Sequence, residues 1–125
     1  MTTIKTMQGR NIYEIDGERI KNYATGLTLY WLKNNNCGLS LYEWSLKRIY
    51  SYEDNLVRDY FGTILYRFDG HLFQDFNFRI LYRYEGGYVQ TFNYLKLYRF
   101  EGPVSDGEVA LLLTAFEKGL LDFPR

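Results

Sequence analysis

Short apolar runs rich in branched and aromatic residues recur along this chain, and the clearest are followed by an acid and a glycine. ILYRF (Ile64–Phe68) runs into Asp69-Gly70, ILYRY (Ile80–Tyr84) into Glu85-Gly86, and KLYRF (Lys96–Phe100) into Glu101-Gly102. After each of the first two comes a second short run, LFQDF or YVQTF, and then a second breaker. Branched and aromatic residues suit a pleated surface, and Asp-Gly favours a two-residue hairpin corner. The pattern predicts strand, corner, return strand, repeated.

The repeat extends beyond the three clearest copies. With the tyrosine of LYRF as marker, copies fall at Tyr13, Tyr30, Tyr50, Tyr66, Tyr82 and Tyr98, spaced 17, 20, 16, 16 and 16 residues apart. The extra residues of the second copy lie in KNNNCG, where a lengthened turn belongs. Two positions after the marker stand Ile15, Leu32, Tyr52, Phe68, Tyr84 and Phe100; later in the unit an aromatic recurs at Tyr23, Trp44, Tyr60, Phe76 and Phe92. Corners centred on acid–glycine pairs set Tyr66 opposite Phe73, Tyr82 opposite Val89, Tyr13 opposite Ile20 and Glu14 opposite Arg19, and the same rule sets Tyr50 opposite Val57.

Both faces of such hairpins carry apolar residues: Tyr66, Phe68 and Phe73 on one, Leu65, Leu72 and Phe76 on the other. A half-solvated sheet alternates more cleanly. The expected fold is therefore mainly all-β, with antiparallel hairpins of about sixteen residues arranged around an axis or as a rolled meander. One helix follows, at about 106–118 within a single domain spanning 1–125. Ser105 and Glu108 match a capping box, Val109, Leu112, Leu113, Phe116 and Leu120 recur at helical spacing, Gly119 suits the C′ position and Pro124 limits continuation. As a terminal cap, this helix is expected to seal the exposed end of the array.

The aromatic strand, acid–glycine corner and return strand, finishing in a short apolar helix, resemble the bacterial four-fold β-flower proteins over about Asn11–Gly102. The corners are Asp-Gly and Glu-Gly dipeptides, and there are more than four marker copies. The resemblance implies hairpins radiating as petals about a pseudo-symmetry axis, and it brings no activity or catalytic residues. A more distant likeness is to the choline-binding and cell-wall-binding hairpin repeats of bacterial surface proteins.

Composition narrows the function. Fifteen basic residues balance fifteen acidic ones, which predicts neither a nucleic-acid nor a membrane partner. The single cysteine, Cys37, cannot form an intrachain disulfide, and the first residues lack the apolar core of a signal peptide, so a cytoplasmic setting is expected. His71, the sole histidine, adjoins a corner glycine, and the equivalent positions hold Glu18, Asn55, Gly87 and Pro103; this variety indicates a solvated turn residue. Asp59 and Asp75 occupy matching places near a breaker, where the repeat explains them better than acid–base catalysis. No zinc spacing, oxygen-rich loop or phosphate-cradling glycine loop occurs, so neither an enzyme nor a cofactor is expected.

The aromatic content, 19% of residues, points to contact chemistry. Most of these rings are expected in the core. Tyr30, Trp31, Tyr42 and Trp44 cluster in sequence around the irregular turn and are the candidate contact residues. The expected function is a non-enzymatic structural or protein-interaction module, binding another protein or itself. The alternative is a small-ligand or carbohydrate binder using the 30–44 aromatics; an exposed concave cluster of them would favour it.

Overall fold

The computed structural model describes residues 1–36 and 38–122, so the expectations resting on Cys37 and Pro124 lie outside the described residues. Twelve strands form: β1 (Thr2–Thr6), β2 (Asn11–Asp16), β3 (Arg19–Asn22), β4 (Thr28–Asn35), β5 (Gly38–Tyr42) and β6 (Arg48–Glu53) in the first half. The second half gives β7 (Leu56–Asp59), β8 (Ile64–Phe68), β9 (Leu72–Asp75), β10 (Ile80–Glu85), β11 (Tyr88–Gln90) and β12 (Lys96–Glu101). Every strand pairs antiparallel with its sequence neighbours, and β1 pairs with β12, closing the sheet into a barrel. Each marker tyrosine begins a unit of two strands. The sixth unit is completed by β1, which serves as the return strand for β12.

One inward column joins all six units. Ile15 faces Ile20, Leu32 faces Leu41, Tyr52 faces Val57, Phe68 faces Phe73, Tyr84 faces Val89, and Phe100 faces Ile4. The return-strand members are fully buried. This register corrects the expected one by two residues, because each corner sits later than the acid–glycine pair. Gly86-Gly87 and Asp54-Asn55 form corners with positive φ at both central residues, the geometry that matches strand twist. At Asp69 the connection lengthens to four residues, and the Asp69 carboxylate accepts the N–H groups of His71 and Leu72 at 2.8 Å each. The expected pairing of marker tyrosines with branched residues occurs instead between units: Val57 faces Tyr66, Ile20 faces Tyr30, and Val89 faces Tyr98. In the first hairpin Glu14 faces Lys21, while Arg19 faces Asp16.

The leucine of LYRF has its own role. Between units the ladder slips by one residue at the same place every time: Val57 faces Tyr66 and Arg58 faces Ile64, so Leu65 is left over. Ile12, Leu29, Ile49, Leu81 and Leu97 are the corresponding extra residues. Such bulges bend a strand and increase its twist. Six of them, evenly placed, curve the sheet until it closes.

The helix forms as α1 (Asp106–Glu117), with both hydrogen bonds of the capping box: Glu108 N–H to Ser105 Oγ at 3.2 Å and Ser105 N–H to Glu108 Oε1 at 2.9 Å. Gly119 and Leu120 N–H groups bond back to Phe116 and Ala115, a Schellman ending. Its location differs from the expected end seal. Val109, Ala110, Leu111, Leu112, Leu113, Thr114, Ala115 and Phe116 are all buried, so the helix is apolar all round and fills the barrel interior. It touches several walls: the Phe116 ring lies 5.9 Å from Tyr13 and 5.0 Å from Tyr98, while Gly107 abuts Leu39 and Tyr52. Among the described residues no helix is long and apolar enough to cross a membrane.

Candidate functional site

The loops joining one unit to the next all emerge at the same end of the barrel, and they share one backbone design. The first loop residue donates its N–H to the carbonyl of the last and accepts from the N–H of the next-to-last. The pairs are Asp59 with Thr63 and Gly62, Asp75 with Arg79 and Phe78, Thr91 with Leu95 and Tyr94, Glu43 with Lys47 and Leu46, Thr6 with Arg10 and Gly9. Asn22 does the same with Leu27 and Gly26 across one additional residue. Side chains at the first position lock the turn: Asp59 Oδ1 accepts Phe61 and Thr63 N–H at 2.9 and 3.0 Å, and Asp75 Oδ1 accepts Asn77 and Arg79 N–H at 2.9 Å each. The repeated aspartates are loop-formers, as their matching places indicated.

These loops carry an apolar crown. The second loop position holds Met7, Tyr23, Trp44, Tyr60, Phe76 and Phe92, all exposed. Phe61, at 87%, is the most exposed aromatic ring among the described residues. Apart from Met1, every large apolar side chain exposed among the described residues lies on this rim. The expectation that most aromatics are core therefore holds for the marker columns and fails for the rim.

The next-to-last loop position takes the left-handed backbone in every unit. Glycine fills it at Gly9, Gly26 and Gly62; Leu46, Phe78 and Tyr94 fill it elsewhere, with φ of 66°, 64° and 72°. A bulky residue there costs about 1–2 kcal/mol. Phe78 and Tyr94 are 62% and 63% exposed, so core burial does not offset that cost. Arg67 lies over the Phe78 ring at 4.6 Å and Arg83 over Tyr94 at 4.4 Å, holding both rings in place beside the rim.

Of the four residues singled out by sequence, only Trp44 stands on the rim, 75% exposed. Tyr30 faces the interior, where its hydroxyl donates to the Leu120 carbonyl at 3.1 Å. Trp31 and Tyr42 face each other on the outer wall, half-buried. Arg19 and Lys33 lie 6.0 and 5.4 Å from the Trp31 ring, and the Tyr42 hydroxyl accepts from Asn35 Nδ2 at 2.6 Å. The four do not gather in one cleft. The rim residues Phe61, Phe78, Tyr94 and Leu95 were missed; their signal was the recurring aromatic beside each breaker.

Inside the rim, marker tyrosines hold the last residue of α1 and the segment after it. Tyr82 donates to Glu117 Oε2 at 2.8 Å, and the Tyr13 hydroxyl donates to the Asp122 carbonyl while accepting its N–H, both at 3.1 Å. Burial, reinforced by Glu117, raises the Tyr66 phenol to about 12 and drives Tyr82 still higher. These hydroxyls remain donors at neutral pH.

Two cavities bracket the barrel. One of about 530 Å³ opens at the corner end beside the helix N-terminus, lined by Glu18, Glu53, Glu108, Tyr52 and Asn34. Among the described residues no group of three His, Cys, Asp or Glu side chains is placed to hold a metal ion. A second, about 310 Å³, lies on the rim between the β5–β6 and β7–β8 loops, lined by Glu43, Arg48, Tyr50, Asp59, Tyr60 and Phe61. His71 is an exposed turn residue at the opposite, corner end. Comparison with protein-family profiles, curated proteins and solved structures finds no match.

Proposed function

We propose that this chain is a non-enzymatic docking module whose working surface is the loop rim. The observation that carries the reading is the segregation of exposed apolar side chains onto six loops at one barrel end. Contiguous exposed apolar patches on a folded domain mark contact surfaces. The left-handed Leu46, Phe78 and Tyr94 add to it, since stability alone favours glycine at those positions. A cytoplasmic setting belongs to the same reading, supported by the single cysteine. The six-hairpin ring also supports kinship with the β-flower proteins, enlarged from four units to six.

The test is the triple variant Phe61→Ser/Phe76→Ser/Phe92→Ser. It is expected to keep the circular dichroism and thermal unfolding of the parent while losing retention on a phenyl-substituted matrix and fluorescence with an apolar dye. Unchanged retention contradicts the rim as working surface.

The rim cavity favours a second, narrower reading as a small-ligand or carbohydrate site, because Tyr50, Tyr60 and Phe61 stand beside Arg48, Asp59 and Glu43. Aromatic faces with a few polar groups suit sugars. Titration with neutral oligosaccharides, followed by chemical shifts of Tyr60 and Phe61, tests it; no saturable shift rules it out.

A further inference from the structure

The rim is cationic as well as apolar. Arg10, Lys47 and Arg79 close three of its loops, and Arg48 and Lys96 follow directly on the adjoining strands. Lys118 stands just past α1, its ammonium 5.6 Å from the Tyr66 ring centroid. Arg67 and Arg83 bring their guanidinium groups over the rim rings of Phe78 and Tyr94, so eight basic groups stand against five carboxylates, those of Glu43, Asp59, Asp75, Glu117 and Asp122. Asp59 and Asp75 accept backbone N–H groups of their own loops, Asp75 also pairs with Arg79 at 3.2 Å, Glu43 accepts from Ser45, and Glu117 accepts from Tyr82. The corner end is the reverse: Glu18, Asp54, Asp69, Glu85 and Glu101 ring it, with Asp106 and Glu108 beside them on α1. A chain of zero net charge is thus polarised along the barrel axis. The sequence expectation of no membrane partner rested on the total, which the fold divides between two ends.

We infer that the rim docks on an anionic lipid bilayer, with its rings at headgroup depth and the acidic corners facing water. This rests on the docking reading above and names the partner class. Tyr and Trp settle at membrane interfaces, and basic residues beside an anionic leaflet each strengthen binding by about fivefold. The second loop position is Met7, Tyr23, Trp44, Tyr60, Phe76 and Phe92 in turn, constant in amphipathic or apolar character but not in shape. A fluid surface requires the character; a packed protein interface requires the shape. Two copies meeting rim to rim would set like charges against each other. The strands have three to eight residues, shorter than the nine or so that cross a bilayer, so the docking is peripheral.

The experiment uses the full chain with vesicles of phosphatidylcholine alone or of equimolar phosphatidylcholine and phosphatidylserine. Co-sedimentation and Trp44 emission are measured, with Trp31 on the wall as an unshifted background. The expected result is a blue shift and binding at least about tenfold stronger to the anionic vesicles, weakening with salt. Arg10→Glu/Lys47→Glu lowers that binding by about tenfold or more at unchanged thermal unfolding. Equal partition to both vesicles, or binding to neither, overturns the inference. If vesicles fail but ultracentrifugation shows dimers that Phe61→Ser/Phe76→Ser/Phe92→Ser abolishes, the lipid assignment falls and the docking reading stands. If vesicles fail and retention on the phenyl matrix also ignores the triple variant, both fall.

Discussion

Ile4 lies directly opposite Phe100, and through that pair the first strand of the chain completes the last repeat. Ile4 is fully buried and occupies the place that Ile20 holds in the first hairpin. Thr2 strengthens the seam by donating its hydroxyl to the Pro103 carbonyl. Ile4→Ala is therefore expected to cost about 2–5 kcal/mol, similar to Ile20→Ala. Urea unfolding of the two variants checks this; a loss below about 1 kcal/mol at Ile4 alone would indicate an open sheet.

Left-handed phenylalanine and tyrosine on the rim separate stability from contact. Phe78→Gly relieves about 1–2 kcal/mol of backbone strain and gives up about 0.5–1 kcal/mol of attraction to Arg67. Thermal unfolding is expected to stay level or rise slightly, while retention on a phenyl matrix falls. A marked drop in stability would show that Phe78 is a packing residue.

A glycine at a corner and one at a strand start differ in what surrounds them. A Cβ at Gly38 would come 2.4 Å from the Tyr52 carbonyl oxygen, whereas a Cβ at Gly86 meets nothing within 4 Å. Gly86→Ala then pays only the left-handed backbone, about 1 kcal/mol, and Gly86→Val somewhat more. Gly38→Ala adds a backbone clash and is expected to be clearly worse. Equal losses in chemical denaturation would contradict the placement of β5 against β6.

Buried tyrosines make the fold sensitive to alkali. Burial first, then nearby carboxylates, raise the phenols of Tyr66 and Tyr52 to about 12, against an unfolded value near 10. The folded state keeps protons that the unfolded state releases, so this contribution is complete below pH about 10 and declines as pH climbs toward 12. Phenolate absorbance is expected to show exposed tyrosines ionising freely and the interior ones only together with loss of circular dichroism. Full ionisation near pH 10 in a folded protein would contradict the marker column's burial.

The sixteen-residue period, the marker column as one face of each hairpin and the capped helix were legible because each depends on local chemistry. The exact corners were not. Moving a corner by one residue shifts partners by two and leaves every side chain on its original face, so Tyr66 points inward whether it meets Phe73 or Asp75. Ile4 sits sixteen residues before Ile20, yet an isolated return strand without its outgoing half carries no corner to announce it. Ring closure decided the rest. It turned Trp31 and Tyr42 onto the wall, lifted Phe61 and Phe76 into solvent, and left an interior filled by a helix buried on every side from Val109 to Phe116. Residue type alone does not separate an aromatic that packs from one that displays.

The most direct test is a covalent one across the seam. Thr3 and Glu101 are opposed residues of β1 and β12, at a spacing of about 4.5–5.5 Å that a disulfide can bridge. In a Cys37→Ser background, Thr3→Cys/Glu101→Cys is expected to oxidise within the monomer and raise the unfolding temperature, with the rim loops still arranged as one ring. Thiols that stay reduced, or that link only between molecules, would mean the barrel is open and the crown is not a single surface.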